Sequence, residues 1–448
     1  MKFSALDIFL GDVYVGVLFK YGGLIRLQVD PDYANTPDRP LLSLSMRAAN
    51  PEQGTGLLLN PLASIFNSPG NDRLPPFFQN LLPEGVLRKH IAAERGCDEN
   101  DYFELLAACG ADLPGNVSAR PTKKPRDLAR KLVTQNHDAL EESVIADPLE
   151  NGVSLSGIQP KLGLVAEGGR FVAGRRHGDS HIIGKLPTVQ HDLLPEVEHL
   201  SLQLAKAAGV NACEATLEPL SAIVSEHGYV LGKSDRFLAV KRFDRDRPGR
   251  LHAEDFAQVL SVDPENKYTG GSYADIARVM LRVEGLGEAA VLELIRRITV
   301  SELVGNYDFH LKNIGILHHP DGRIELSPAY DIVAYSTYLN GNGHALAFAE
   351  GLPKRQSLAP TTIRHFSSDT GVSEVKLRNT VAEVCNLAVG KWPGIIAASD
   401  LTSEQKDRLN QFFQGRPLVQ GLLRRRQKRK STGAGTGDVS LTPSSRSE

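Results

Sequence analysis

The sequence predicts an α+β chain of two lobes, preceded by a small N-terminal α+β subdomain. Two observations predict this fold class. Strand-like runs open the chain and recur from about residue 151, and in both places apolar residues at helical spacing follow them. The chain is also long, with 448 residues of which 41% are hydrophobic. Division into separate cores is expected beyond ~250–300 residues, so two or three subdomains are predicted.

The N-terminal subdomain is expected over residues 1–120. Alternating runs at Val13–Phe19 and Leu24–Leu27 are typical of strands, and the apolar spacing in Phe77–Ala93 is typical of a helix. Residues 121–150 are polar and charged. A small α+β unit followed by a connector is therefore predicted before the first lobe.

The first lobe is expected over residues 151–248, where strands dominate around one helix. Val153–Val165 can be two strands joined by a polar turn that contains glycine. His181–Leu186 is a short apolar run that carries one lysine, and an amphipathic stretch of helical period covers His199–Ala208. This order predicts a small sheet with a helix packed on it.

The second lobe is expected over residues 249–422 and is mainly helical, with helices predicted at Leu281–Ile298 and Thr402–Phe413. The tail, residues 423–448, joins the basic block Arg424–Lys430 to an end rich in Ser, Thr and Gly. Such a composition cannot offset the entropy of ordering, so the tail is expected to be disordered. The basic block fits a solvated helix end as well as a contact with nucleic acid or an acidic partner.

Three polar side chains in the second lobe have the order of a phosphoryl-transfer site. Asp308 could accept the proton of an attacking hydroxyl group, and the oxygens of Asn313 and Asp331 could share a magnesium ion. Between them, His310 could brace the backbone, and Lys312 could neutralise the transferred phosphoryl group. Each residue alone is more often a surface group or a turn former. Their joint order predicts a kinase.

A lysine and a glutamate upstream can supply the other half of such a site. Lys185 lies in the apolar run of the first lobe, and it needs a carboxylate partner to stay extended toward the nucleotide phosphates. Glu196 and Glu198 are both near enough in sequence. We prefer Glu198 as the partner.

The segment Ser154–Lys161 offers hydroxyl and backbone N–H groups that could cover phosphates. Taken alone it is weak evidence. It lacks the G-x-G-x-x-G spacing of ordinary protein kinases and the G-x-x-x-x-G-K-[ST] of a P-loop. On this stretch alone, a plain hairpin is the better interpretation.

Several segments match one known pattern in one order along most of the chain. They are Pro40–Ser45, Phe77–Gly85, Ser154–Lys161, Val240–Arg245, His252–Phe256 and Asp308–Asn313. With them the chain resembles the HipA family of bacterial serine/threonine kinases, the toxin halves of toxin–antitoxin pairs. The resemblance implies a two-lobed protein-kinase-like fold with a small N-terminal α+β subdomain and a mainly helical C-terminal lobe.

The resemblance also implies ATP and Mg²⁺ as cofactors. It makes Asp308 the catalytic base, places Lys185 at the ATP phosphates and gives the metal ion two ligands, Asn313 and Asp331. The residues implied to contact the nucleotide or its metal are Ser154, Ser156, Gly157, Gln159, Lys161, Lys185, Lys241, Phe243, His310, Lys312, Asn313 and Asp331.

By the same resemblance, Ser154 is a site of autophosphorylation that silences the enzyme, because the phosphorylated loop leaves the nucleotide. The loop here reads Ser-Leu-Ser, so Ser156 is a second candidate. The chain departs from relatives in bulky Tyr307 and Phe309 beside the catalytic Asp, and in Lys241, where an acidic residue is common. Main-chain groups near Lys241 and Phe243 are expected to contact adenine, by analogy of fold.

The implied function is an ATP-dependent serine/threonine protein kinase that phosphorylates a serine of a cellular protein, an aminoacyl-tRNA synthetase by class, and causes growth arrest. The implied partner is a helix-turn-helix antitoxin, through which alone DNA would be contacted. Two alternatives stay open. One is a catalytically weak co-repressor that binds such an antitoxin on operator DNA, and the other is a small-molecule kinase, which shares every motif.

Composition agrees with this interpretation. A formal charge of −2 gives no global attraction to nucleic acid or membrane. The four cysteines, Cys97, Cys109, Cys213 and Cys385, lack metal-ligand spacing and are expected to be buried thiols of a reducing compartment. No secretory signal and no run of ~20 apolar residues is visible, so a cytoplasmic protein without a membrane partner is expected.

Overall fold

The structure of the protein is a computed structural model. It describes residues 2–48, 50, 53–70, 72–123, 141–142, 145–149, 152–155, 159–173, 179–245 and 249–424. Outside these ranges lie Ser156, Gly157, most of the expected connector and the tail from residue 425. No helix within the described ranges is long and apolar enough to cross a membrane.

The N-terminal part of the chain forms a five-stranded sheet. Its strands are β1 (Lys2–Leu10), β2 (Val13–Tyr21), β3 (Leu24–Val29), β4 (Val117–Pro121) and β5 (Glu141–Glu142). The order is β3-β2-β1-β4 with antiparallel pairing, and β5 pairs in parallel with the start of β1. Gly11 has a φ of +62° in the tight turn between β1 and β2, a conformation that favours glycine. The two strands predicted here are confirmed.

In the described part of the N-terminal subdomain, five helices accompany this sheet. They are α1 (Pro31–Asn35), α2 (Gly54–Leu58), α3 (Pro76–Asn80), α4 (Gly85–Arg95) and α5 (Tyr102–Cys109). Their apolar side chains and one face of the sheet share a buried core that includes Leu6, Phe78 and Leu106. The helical stretch predicted over Phe77–Ala93 is divided, because the chain leaves the helical path before Pro83, which has no N–H to donate.

The first lobe contains a second five-stranded sheet and one helix. The elements are β6 (Lys161–Glu167), β7 (Arg170–Ala173), β8 (Ile182–Lys185), α6 (Leu194–Ala207), β9 (Ala215–Pro219) and β10 (Arg236–Lys241). The strands are all antiparallel in the order β7-β6-β8-β10-β9. The strand predicted to begin at Val153 is wrong. Val153 and Leu155 lie instead in the core of the N-terminal subdomain, which withdraws this segment from the sheet.

The second lobe is mainly helical around a small antiparallel sheet. Its elements are β11 (His252–Asp255), α7 (Phe256–Val259), α8 (Tyr273–Arg282), α9 (Gly287–Val304), β12 (Gly315–His318), β13 (Ile324–Leu326), α10 (Pro360–Thr370), α11 (Glu374–Ala398) and α12 (Ser403–Gly415). The sheet order is β11-β12-β13.

One of the two helices predicted in this lobe is confirmed and one is divided. α12 begins where expected, with Thr402 as its N-cap in a capping box with Gln405. The helix predicted over Leu281–Ile298 is two helices, since α8 ends at Arg282 and α9 starts only at Gly287. Gly285 in the break has a φ of +92°, which a continuous helix does not allow.

One hydrophobic core joins α6 of the first lobe to the helices of the second lobe. Trp392 of α11 is fully buried in it and donates its indole N–H to the carbonyl of Leu204 at 2.9 Å. All four cysteines are free, and three of them are buried. The mixed α and β architecture of two lobes behind an N-terminal subdomain agrees with the predicted fold class.

Four buried charges fasten the N-terminal subdomain to the end of β10. Arg242 donates to Asp112 at 2.9 Å and to both carboxylate oxygens of Asp244 at 3.1 and 3.0 Å. Arg245 reaches the same two carboxylates at 2.8 Å each. The N–H of Gly115 also donates to Asp244 at 2.8 Å. Because the charges balance and every guanidinium nitrogen except Arg245 Nε has a hydrogen-bond partner, the set can stay buried between the two bodies.

Replacing Asp112 by alanine should destabilise the protein by about 3–5 kcal/mol, because two buried guanidinium groups would lose a carboxylate. Burial raises the pKa of Asp112, but Arg242 and Arg245 lower it to about 2. The contribution of Asp112 is therefore present above the ordinary carboxyl range and is lost as pH falls through about 2. Urea unfolding at neutral pH, followed by circular dichroism, measures the change.

The matched control is Arg236→Ala. Arg236 lies 2.7 Å from Asp400, but both side chains are about half exposed, so this change should cost less than about 1 kcal/mol. Equal shifts of the unfolding midpoint in the two variants would contradict the role given to the buried set.

Candidate active site

Lys185 at the end of β8 is held between two carboxylates. In the strand register it lies opposite Lys161 of β6. Its ammonium group donates to Glu198 Oε1 at 2.5 Å and to Asp331 Oδ1. Lys161 approaches the other oxygen of Asp331 at 3.8 Å. Two strand lysines thus meet one carboxylate from each lobe.

The helix α6 explains why Glu198 is the partner. Residues two apart on a helix differ by about 200° in direction, so Glu196 and Glu198 point to nearly opposite sides. Glu198 faces the sheet and Lys185, whereas Glu196 accepts a hydrogen bond from Ser234 at 2.5 Å. The preference for Glu198 as the partner of Lys185 agrees with this geometry.

Burial and charge pairing act in opposite directions on these groups. Burial lowers the pKa of Lys185, but Asp331 and Glu198 raise it above its ordinary value. Burial raises the pKa of Asp331, but Lys161 and Lys185 hold it below the usual carboxyl range. Lys185 and Asp331 are therefore charged at neutral pH, with Lys185 buried and Asp331 partly exposed.

The segment after α9 carries the second group of candidate residues. The helix ends at Gly305, whose φ of +70° closes it, and a 3-10 helix follows at Leu311–Asn313. The side-chain amide of Asn313 donates through Nδ2 to the carbonyl of Asp308 at 2.8 Å. Because Nδ2 is the donor, the Oδ1 atom of Asn313 is left as an acceptor for a ligand.

Asp308 is partly open to solvent and is contacted by an aromatic side chain. Its Oδ1 accepts a hydrogen bond from the phenol of Tyr268 at 2.5 Å, and 39% of its side chain is exposed. Burial raises the pKa of Asp308, an effect that the Tyr268 hydrogen bond opposes. His310 lies 3.8 Å from the same oxygen and packs edge-on against Tyr268. Burial and Lys267 lower the pKa of His310 to about 3, so its ring is neutral at pH 7.

Lys312 faces the N-terminal subdomain. Its ammonium group donates to the carbonyl and to the side-chain oxygen of Asn80, at 2.8 and 3.1 Å, and to Asp255 at 3.0 Å. It also lies 3.9 Å from Glu84. The side chain is almost fully buried by these contacts. Its charge is therefore engaged with Asn80 and Asp255, and it does not face Asp308.

Asn313 and Asp331 line one cleft and offer oxygen atoms, the ligands that Mg²⁺ prefers. In the part of the chain that the structure describes, no group of three or more His, Cys, Asp or Glu is arranged to hold a metal ion. These two residues fit a magnesium ion that takes its remaining ligands from water and from substrate phosphates.

Two cavities adjoin at the lysine–carboxylate cluster. The smaller, of about 160 Å³, has walls that include Ile183, Val240 and Phe243. The larger, of about 600 Å³, is an open cleft that contains Asp308 and Asn313. The side chains common to both are Lys161, Glu198 and Asp331. A ligand that spans the two cavities would pass the two lysines.

Ser154 lies at the smaller cavity, but its hydroxyl group faces the N-terminal subdomain. The hydroxyl donates to the carbonyl of Leu81, and the N–H of Ser154 donates to the carbonyl of Asp112 at 3.1 Å. Ser154 is only 1% exposed. Gln159 donates to the carbonyl of Leu186 at 2.9 Å, which ties the far end of this loop to β8. The predicted site residues Ser156 and Gly157 lie outside the described residues.

Lys241 and Phe243, near which adenine contacts were expected, lie in different surroundings. The side chain of Lys241 is 62% exposed and lies 3.3 Å from Glu214, and its main-chain N–H donates to the carbonyl of the same residue at 2.9 Å. Phe243 lines the smaller cavity, and its ring packs against Tyr330 at 5.6 Å between centroids. The Lys241 amide is thus already used, whereas the Phe243 ring forms part of the wall.

Sequence reasoning missed four residues of this region. They are Asn80, Glu84 and Tyr268, whose side chains contact Lys312 or Asp308, and Lys267, whose side chain pairs with Glu84. The candidate segment Asp308–Asn313 is called the catalytic segment below, after its proposed role. Asn80 and Glu84 belong to the matched segment Phe77–Gly85, which pointed only to the N-terminal subdomain. Lys267 and Tyr268 belong to no motif that would mark them as functional, because a lysine and a tyrosine in a turn are common.

Two family models match the chain. The HipA-like C-terminal domain covers residues 153–392, and the HipA N-terminal domain covers residues 6–120. Together they include every candidate residue described above.

Curated relatives are similar over much of the chain. A protein of Sinorhizobium fredii named "Putative kinase Y4dM" is 34% identical over 370 residues, which is 80% of this chain and 84% of the relative. A second protein of that organism, "Putative kinase Y4mE", is 32% identical over 287 residues, 59% of this chain and 64% of the relative. Both names place the relatives among kinases.

A solved structure shares the fold. HipA of Shewanella oneidensis MR-1, from a complex with HipB and operator DNA, superposes with a TM-score of 0.66 at 20% identity. The match covers 94% of this chain and 97% of the other. The predicted HipA-like fold is therefore confirmed.

Proposed function

The chain belongs to the HipA family, and we propose that it is a magnesium-dependent serine/threonine protein kinase that uses ATP. The observation that carries the proposal is the meeting of two sets of groups at adjoining cavities. One set is the buried pair Lys185 and Glu198, and the other is Asp308 with Asn313 and Asp331. Protein kinases use this combination to hold nucleotide phosphates, a metal ion and an acceptor hydroxyl group.

The nucleotide would lie with its base in the smaller cavity. Ile183, Val240 and Phe243 supply apolar surface there for a flat ring. The phosphates would then extend toward Lys161 and Lys185, whose charges are kept in a buried place. Gln159, Lys161 and the hydroxyl-bearing loop before them would cover the phosphates.

The chemical step follows from the position of Asp308 in the open cleft. An acceptor serine hydroxyl would attack the γ-phosphorus and give its proton to the Asp308 carboxylate. The new O–P bond forms as the bond to the β–γ bridging oxygen breaks, and ADP leaves. Asn313 and Asp331 would hold the magnesium ion, which would supply positive charge beside the phosphate oxygens. Lys185 would stabilise the same charge from the β8 side.

The target class is proposed from the family resemblance. An aminoacyl-tRNA synthetase phosphorylated on a mobile loop near its own ATP site would gain ≈ −1.5 to −2 charges beside bound nucleotide. Aminoacylation would stop and growth would arrest. Phosphoproteomics after induced expression tests this, and the absence of any new synthetase phosphosite in growth-arrested cells would remove the target class while leaving the kinase in place.

Asp308→Asn should abolish phosphoryl transfer while leaving the fold intact, because an amide cannot accept the hydroxyl proton. General-base contributions are typically ~10²–10⁴-fold, so transfer from labelled ATP should fall by at least that range. Asp331→Asn should also abolish transfer, by weakening the metal site. Both variants should lose any growth arrest that the wild-type protein causes on expression.

Asp321→Asn is the matched control, because Asp321 lies in an exposed turn away from both cavities. It should transfer phosphate at the wild-type rate. Magnesium–ATP should also raise the melting temperature of the wild-type protein by mass action, and Lys185→Ala should reduce that shift. Undiminished transfer by purified Asp308→Asn or Asp331→Asn would sink the kinase assignment.

We also propose autophosphorylation in the Ser154 loop. Ser154 is buried, with its hydroxyl bonded to the carbonyl of Leu81, so the segment must leave this position before it can be phosphorylated. A dianionic phosphate could not return to a buried site beside a carbonyl oxygen without a cation to pair with it. The modified loop would stay open and could no longer cover ATP.

Activity should therefore fall as phosphate accumulates on the loop. Ser154→Ala should prevent this loss unless Ser156 takes over, and the double change of both serines should prevent it in every case. Mass spectrometry of the active enzyme and of Asp308→Asn measures the modification. Phosphate absent from both serines in the active enzyme, or equally present in the inactive variant, would rule out autophosphorylation at this loop.

The partner proposed for this chain is a small helix-turn-helix antitoxin, with DNA reached only through it. The support is the Shewanella structure, in which HipA is in complex with HipB and operator DNA. Co-expression with a short helix-turn-helix reading frame beside the gene should give a stable co-purified complex, and failure to co-purify would remove this partner. If the complex forms and represses while the wild-type protein transfers no phosphate, the co-repressor alternative is favoured over the kinase.

A further inference from the structure

Two residues of the N-terminal subdomain, Asn80 and Glu84, bind two lysines of the second lobe, Lys267 and Lys312. Glu84, at the start of α4, accepts a hydrogen bond from Lys267 at 2.9 Å and lies 3.9 Å from Lys312. Asn80, at the end of α3, accepts two hydrogen bonds from Lys312. The side chains of Glu84 and Lys267 are 13% and 15% exposed, and that of Lys312 is 1% exposed. These are partly or fully desolvated contacts.

Lys267 is connected to the candidate base, Asp308, through its own backbone and through the next residue. It follows a 3-10 helix at Pro264–Asn266, and its carbonyl accepts the N–H of Leu311 at 3.4 Å. The next residue is Tyr268, whose phenol donates to Asp308 Oδ1 at 2.5 Å. The backbone of Lys267 is therefore fixed to the catalytic segment, and the neighbouring side chain holds the carboxylate.

Lys312 gives a second connection to the same segment. It lies within the 3-10 helix that ends in Asn313, and its carbonyl accepts the hydroxyl of Tyr330 at 2.8 Å. Asn313 in turn donates to the carbonyl of Asp308. The hydrogen bonds between Asn80 and Lys312 thus restrain the backbone that follows Asp308.

We propose that Asn80 and Glu84 are positioning residues for the base Asp308, so that the N-terminal subdomain completes the active site. The inference rests on the proposed kinase function. Glu84 acts through Lys267 and Tyr268, and Asn80 acts through Lys312. With its Oδ1 held by Tyr268, the carboxylate of Asp308 presents its other oxygen to an acceptor hydroxyl group.

The physical reason is that a general base works only in a narrow geometry. The base needs hydrogen-bond reach to the proton it takes, and a third group commonly orients it. Asp308 is 39% exposed, so its own packing does not lock its rotamer. The phenol of Tyr268 supplies the missing restraint, and Glu84 holds the turn from which that phenol extends.

Another ion pair of the same interface provides the matched control. Arg73 of the N-terminal subdomain lies 2.9 Å from Asp263, with side chains 23% and 15% exposed, and it also pairs with Glu265. Asp263 caps the 3-10 helix that precedes Lys267 and Glu265 lies within it, whereas Lys267 and Tyr268 themselves are not partners of Arg73 in these ion pairs. Arg73→Met therefore removes ion pairs of the same interface while leaving the Glu84–Lys267 pair and the Tyr268–Asp308 hydrogen bond in place.

The experiment compares Glu84→Gln, Tyr268→Phe, their double variant and Arg73→Met in the full chain. Magnesium–ATP is the donor, and myelin basic protein is the general acceptor. Glu84→Gln and Tyr268→Phe should each lower kcat on the order of tenfold to a hundredfold, with the KM for ATP within about twofold of wild type. The kcat of the double variant should be no lower than that of the slower single variant, because both changes interrupt the same chain of contacts from Glu84 to Asp308. Arg73→Met should keep the wild-type kcat.

The outcomes separate the two proposals. A wild-type protein that transfers no phosphate to itself or to the acceptor would remove the kinase function, and the inference with it. An active wild type with an unchanged kcat in Glu84→Gln would overturn the inference alone. Equal losses of kcat in Glu84→Gln and Arg73→Met would also overturn the inference. The same holds if the fold-losses of kcat in the two single variants multiply in the double variant. If Glu84→Gln fails to fold by its melting curve, Lys267→Met combined with Tyr268→Phe gives the same test.

Discussion

The buried ammonium group of Lys185 is the contact on which the site depends. Its two carboxylates come from different parts of the fold, Glu198 from α6 of the first lobe and Asp331 from the second lobe. Removal of one member of such a set leaves an uncompensated charge, which costs about 3–5 kcal/mol. The lobes are thereby held in one arrangement at the point where the two cavities meet. Because an ammonium group has a further N–H donor beyond these two contacts, it can bind a phosphate oxygen without giving up both partners.

Among the contacts of the N-terminal subdomain with the kinase-like part, two lie at the cavities and differ in chemistry. At the end of β10, the balanced charges of Asp112, Arg242, Asp244 and Arg245 lie almost fully buried beside the wall of the smaller cavity. At the catalytic segment, neutral Asn80 and one carboxylate receive the lysines. Both contacts border a cavity, so the subdomain is in a position to influence nucleotide and acceptor separately. A subdomain that only added stability would not need to reach either one.

The sequence predicted several residues that the structure brings together at the two cavities, and the contacts it missed have a common physical cause. Lys185, Glu198, Asp308, Asn313 and Asp331 were found from short motifs whose chemistry is local. The direction of the Lys312 side chain was not predicted, because its partner Asn80 is 232 residues away and only the fold brings them together. The strand expected at Val153 failed for the same kind of reason, since its apolar side chains joined the core of another subdomain. Local periodicity reports that a residue is buried, but it does not report against what.

The backbone at Asp331 shows how this long-range packing supports the chemistry. Asp331 has a φ of +52°, a left-handed conformation that costs a non-glycine residue of order 1–3 kcal/mol and persists only where the surroundings impose it. The two preceding residues are fixed from both lobes. Ala329 exchanges main-chain hydrogen bonds with Asn211 and Cys213 of the first lobe, at 2.7 and 2.9 Å, and Tyr330 is tied to the catalytic segment through the carbonyl of Lys312. With its backbone so constrained, the Asp331 carboxylate is directed at the strand lysines. The strained conformation is therefore explained by the same lobe-to-lobe contacts that bring the candidate residues together.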